Sequence, residues 1–167
     1  MSATVQINEY NGVGEDETAN ITNANMGSND SANLDPVTYP ISPGDNSYEK
    51  FHKVEVTAMG GSSQIDTLKV WRDGALGGSA VHLTNARLTT YGGAETYAQP
   101  VATDSSLADQ TMPSSSPASA NLGIGGALAG ALTAAGLSDY LVHQIQTDAG
   151  DSAGSTSTLK FSYKEVA

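Results

Sequence analysis

Cysteine is absent from this chain of 167 residues, which excludes disulfides, thiol catalysis and thiolate zinc sites. Stability must therefore come from packing or from assembly. Basic residues are scarce: 7 Lys and Arg against 18 Asp and Glu give a formal net charge of −11. They are also scattered, as Lys50, Lys53, Lys69, Arg72, Arg87, Lys160 and Lys164. Nucleic-acid binding needs clusters that displace counterions from phosphate, so the sequence predicts no nucleic-acid partner. The same balance argues against docking on an anionic membrane. It suits solubility, a basic protein partner or a salty environment.

Long apolar runs are missing too. The least polar stretch, Leu122 to Gly136, is broken by glycines and falls short of the roughly 20 residues a membrane helix needs. The amino terminus, MSATVQINEY, has no basic segment leading into an apolar one, so no secretory signal is expected. That places synthesis in the cytoplasm, with retention there or release by lysis. Charged residues make up only 15% of the chain, below the roughly 25% of an average globular protein. Ser, Thr and Asn carry the polarity instead, and these favour turns and strand surfaces over helix interiors.

What is present reads as strands. Residues 4–10 alternate polar and apolar side chains and end at Asn11-Gly12. Residues 50–59 place His52, Val54, Val56 and Ala58 on one face and Lys53, Glu55 and Thr57 on the other. After Gly60-Gly61-Ser62-Ser63 a strand over 64–71 follows, and the pair is predicted to form a hairpin. Further strands are expected over 81–91 and 96–101. The segment 122–136 is expected to be a buried strand with a Gly-rich connection. The C-terminal strands 139–147 and 157–166 are expected to pair as a second hairpin, with Leu159, Phe161 and Tyr163 facing one way. Seven or eight strands bounded by Gly or Pro predict an all-β fold, an antiparallel β-sandwich of jelly-roll or immunoglobulin-like type. Residues 1–47, poor in apolar anchors, read as an extended arm or added edge, and 48–167 as the body of a single domain.

Candidate chemistry is thin. His52, His82 and His143 fall in separate strands with no close ligand spacing, and read as isolated strand residues. No Gly-x-Ser-x-Gly elbow, dinucleotide loop or phosphate loop occurs, so neither enzyme activity nor a cofactor is expected. Glu15-Asp16-Glu17, Asn29-Asp30, Asp45-Asn46 and Asp148 with Asp151 supply oxygen ligands of the kind calcium prefers, but match no calcium-loop spacing. Solvated turns account for them, and no metal is predicted. Trp71, with Tyr91 or Tyr97, could form a sugar-binding platform; a core plug is the commoner role for such a Trp.

Several phrases carry a resemblance: Ile21-Thr-Asn-Ala-Asn-Met-Gly-Ser28, Asn33-Leu-Asp-Pro-Val-Thr-Tyr-Pro-Ile41, Glu49-Lys-Phe-His-Lys-Val-Glu-Val-Thr-Ala-Met-Gly-Gly61 and Asp139-Tyr-Leu-Val-His-Gln-Ile-Gln-Thr147. In style they resemble small virion structural proteins of tailed bacteriophages. The resemblance implies a decoration or cement protein on the capsid surface. Its partners would be the major capsid protein and copies of itself, as a trimer or other multimer. Contacts are expected at Val5, Ile7, Tyr10, Leu34, Pro36, Tyr39, Pro40 and Ile41. A tail, neck or fibre protein is the alternative within the virion, and a carbohydrate-binding or adhesion module is the alternative of another class.

Overall fold

The computed structural model describes residues 2–12, 14–91, 107–152 and 154–167, and in them the chain is all-β. Ten strands run in order: β1 (Thr4–Asn11), β2 (Asp16–Thr18), β3 (Lys50–Ala58), β4 (Gln64–Asp73), β5 (Val81–Leu88), β6 (Gln110–Thr111), β7 (Ala131–Leu132), β8 (Gly136–Leu137), β9 (Tyr140–Gln146) and β10 (Thr158–Val166). They form two antiparallel sheets. The larger has seven strands in the order β2-β1-β3-β9-β5-β6, with β8 also on β3; the smaller is β10-β4-β7. The sheets pack as a sandwich. The expected strand over 96–101 lies outside the described residues.

Neither expected hairpin forms. β3 pairs with β1, β8 and β9, while β4 pairs with β10 and β7, so Gly60-Gly61 carries the chain from one sheet to the other. Each strand has one apolar face. Val54 and Val56 of β3 and Ile65, Leu68 and Val70 of β4 bury those faces against each other across the sandwich. Edge-to-edge pairing would set both faces on one side with nothing to cover them. β9 and β10 separate for a similar reason. β9 is buried on both faces at Tyr140 through Ile145 and sits centrally between β3 and β5, whereas β10 is half-exposed and forms an edge.

A bulge adjusts the smaller sheet. Thr67 takes φ 54°, rare for a β-branched residue, and its hydroxyl donates to Asp66 at 2.6 Å. The inward set thereby changes parity, from Ile65 to Leu68 and Val70. A second core lies on the other side of the larger sheet, where Tyr10, Phe51, Tyr140, Val142 and Ala108 cluster. Tyr91 joins it, its ring 4.7 Å from that of Phe51.

Two further expectations change. The 122–136 stretch is not a buried strand. Only Leu122 and Gly123 are buried, and the remainder bridges the sheets in short pieces, β7 on β4 and β8 on β3. A side chain at Gly123 would collide with Asp139, whose carboxylate accepts the Gly126 N–H at 2.9 Å. Trp71 is not a core plug: it lies between inward-facing Val70 and Arg72, belongs to neither core cluster, and is half-buried. Residues 1–47 are held by polar anchors. β1 pairs with β3 from Thr4 to Tyr10, and Asn11 and Gly12 donate to Asp30 at 2.7 Å each.

Candidate functional site

The inner face of the larger sheet divides into two halves. Val54, Val56, Leu141 and Ala86 make an apolar half against the smaller sheet. Beyond them the same face carries Glu9 and Asn11 of β1, Lys50 and His52 of β3, His143 of β9 and His82 and Thr84 of β5, all at most 8% exposed. Register explains the gathering. Glu9 lies opposite His52, His143 opposite Lys50 and also opposite Thr84, so the set spans four adjacent strands on one face.

These side chains form a continuous row. Lys50 Nζ donates to Glu9 Oε1 at 2.6 Å and also to the Ser31 carbonyl. Asn11 Nδ2 donates to the same Glu9 oxygen at 3.0 Å. The other oxygen, Oε2, faces His52 Nε2 at 3.4 Å. His52 Nδ1 meets His143 Nε2 at 3.1 Å, and His143 Nδ1 meets His82 Nε2 at 2.8 Å. The histidines read as isolated in the sequence are therefore one hydrogen-bonded unit. The signal available beforehand was only that each sits in a strand; their adjacency depends on a strand order that the sequence does not reveal.

Electrostatics hold much of the row neutral. Burial, with positive charge on Arg72, lowers His82 to about 4. Burial holds His143 well below the ordinary imidazole range, reinforced by His52, His82 and Lys50. For Glu9, burial favours the neutral acid, but hydrogen bonding and charge from His52 and Lys50 outweigh it and hold the carboxyl below its ordinary range. A neutral His143 must donate from one ring nitrogen and accept at the other. His82 Nδ1, at the end of the row, has no hydrogen-bond partner, and neither Glu9 Oε2 nor His52 Nε2 makes a hydrogen bond. Arg72, facing inward from β4, likewise leaves its Nε without one.

Among the described residues no group of three or more His, Asp or Glu can hold a metal. Ring nitrogens 2.8 Å apart share a proton, whereas two nitrogens each about 2.0–2.1 Å from one zinc would stand wider. The acidic turns are used structurally. Asp30 accepts from Asn11 and Gly12, and Asp151 accepts from the Ser79 and Asp148 amides. Trp71 and Tyr91 do not share a platform, since Tyr91 stacks in the second core on the other sheet, and Tyr97 lies outside the described residues.

Above the histidine end of the row the sandwich is open. A cleft of about 870 Å³ has His82, His143 and Ile145 among its lining, together with residues 21–26, 36, 37, 40, 41 and 43 and residues 154–159 and 161. Of the expected contact residues, Ile7, Pro36, Pro40 and Ile41 line it. Tyr39 is 39% exposed beside them, and Val5 packs against the core at partial exposure. Tyr10 and Leu34, also expected at a contact, are buried within the chain.

Residues 27–41 form a strap along this opening. Ser28 N donates to Tyr39 O at 3.1 Å, Tyr39 N to Asp35 O at 3.0 Å, and Thr38 Oγ1 to Asp35 at 2.6 Å. Gly27 has no room for a side chain against Leu34 and the Tyr39 carbonyl. At the crest Val37 is 87% exposed. The chain matches no protein-family model, no curated protein and no solved structure.

Proposed function

We propose that this protein is a structural component of a bacteriophage virion, a decoration or cement protein that binds the assembled capsid shell. The observation that carries the reading is the strap. Val37 stands 87% exposed with Pro36, Tyr39 and Pro40 beside it, on backbone already fixed by its own hydrogen bonds. A rigid, exposed apolar crest loses little conformational freedom on docking, which is where association is otherwise costly. The net charge of −11 favours a shell partner with a basic surface around an apolar pocket. Binding the intact shell but not its dissociated subunits raises particle stability by mass action.

The test mixes purified protein with particles lacking it, followed by imaging and heat challenge. Density at the capsid symmetry axes and delayed rupture are expected, with both lost for Val37→Asp. Attachment only at the tail or neck moves the protein to the alternative virion site. Failure to attach anywhere on the particle rejects the reading.

A further inference from the structure

The lysine end of the buried row combines three groups in an arrangement that goes beyond ion pairing. Lys50 is 0% exposed, Glu9 0% and Asn11 8%. The amine of Lys50 and the amide nitrogen of Asn11 both donate to one oxygen, Glu9 Oε1, at 2.6 and 3.0 Å. The pairing of Tyr10 with Phe51 and of Glu9 with His52 sets Asn11 across from Lys50 on the same face of adjacent strands. Asn11 Oδ1 is buried and has no hydrogen-bond partner, so among the described residues nothing competes for the carbonyl end of this amide. A nucleophilic amine, an amide acyl group and a carboxylate that touches both are thus held together away from water.

We propose that Lys50 and Asn11 are a modification site, joined by an intramolecular isopeptide bond whose formation Glu9 promotes. Glu9 takes one proton from the Lys50 ammonium, which frees the amine lone pair. Nζ attacks Cγ of Asn11, and the Nζ–Cγ bond forms as the Cγ–Nδ2 bond breaks. The departing nitrogen takes the proton held by Glu9 and a second proton from Nζ, and leaves as an ammonium ion. In balance, a lysine ammonium and an asparagine amide give a secondary amide and an ammonium ion, and Glu9 returns to the carboxylate. No oxidant, metal or cofactor is needed. Proximity in a dry site supplies the drive that the same pair lacks in water.

A rival reaction also expels ammonia from Asn11: cyclisation by the Gly12 nitrogen. Here that N–H is committed to Asp30 Oδ2 at 2.7 Å, which holds it away from Cγ. The bond to Lys50 would covalently staple β1 to β3 and fasten the strap, through Asp30 and Ser31, to a cross-linked base.

The test is intact-mass spectrometry of the purified full chain with tryptic mapping. Lys50 is the first Lys or Arg in the sequence, so trypsin cuts after it unless its amine is blocked. The expected result is a mass lower by one ammonia, no cleavage after Lys50, and fragment ions joining residues 11 and 50. Asn11→Ala and Glu9→Gln should both restore the full mass and the cleavage. Asn11→Ala serves as the control should Glu9→Gln fail to fold. Full mass in the unaltered protein overturns the proposal. So does loss of ammonia with Lys50 still cleaved, which assigns the change to cyclisation at Asn11-Gly12.

Discussion

The two halves of the larger sheet's inner face use the same strands, β1, β3, β9 and β5, and solve the burial problem in opposite ways. In one half Val54, Val56, Leu141 and Ala86 meet Ile65, Leu68 and Val70, and burial is favourable without direction. In the other, Lys50, Glu9, His52, His143 and His82 depend for their burial on the directed contacts that join them. The apolar half tolerates change in proportion to volume. The polar half is all-or-none, and it lies beneath the open cleft and the strap. The lesson is that the smaller sheet covers only part of the larger one, and the uncovered part is fixed by hydrogen bonds instead of by a second layer.

Breaking the polar half should have the largest effect. Glu9→Ala leaves Lys50 buried without its counter-charge and should cost about 3–5 kcal/mol in urea unfolding. Replacing both, Glu9→Leu with Lys50→Met, should cost less than the single change, because no orphan charge remains.

Acidification comes next. His82 has a folded value of about 4 against an ordinary 6.5, so the unfolded chain takes up its proton first. The stability it contributes is complete above 6.5 and is lost as pH falls toward 4. For His82 alone this amounts to about 3 kcal/mol. His143, also lowered, adds to the loss in the same direction, and Glu9 adds more below the ordinary carboxylate range. Unfolding titrations at pH 7, 5.5 and 4.5 should show this slope, and His82→Phe should flatten it.

The apolar half should respond less and without pH dependence. Ile65→Val should cost about 1 kcal/mol at every pH. A slope that matched the polar variants would erase the distinction. Smallest of all, Lys160→Ala removes an exposed pair with Asp73 and should leave the unfolding midpoint where it was.

The sequence announced the elements more clearly than their arrangement. Alternation in residues 50–58 and 64–73 marks strands and even their inward faces, because period two is a local property. Which strand lies beside which is not local. Gly60-Gly61 looks the same whether it closes a hairpin or passes between sheets, and only the matching apolar faces of Val54 and Ile65 decide it. The same limit hid the site. His52, His82 and His143 are far apart along the chain, and they converge because β9 inserts between β3 and β5. Pro36, Pro40 and Ile41 were legible as an apolar strap in a polar segment. Tyr10 and Leu34 looked alike in sequence but turn inward.

Side-chain nitrogen NMR of the three histidines, followed from pH 8 to 4.5, tests the central claim most directly. The account predicts that His143 keeps a single ring proton across the whole range, with His82 beginning to titrate only at the acid end. A His143 that titrates with a midpoint near 6.5 would show a solvated ring, and would contradict the buried, hydrogen-bonded row on which the polar half depends.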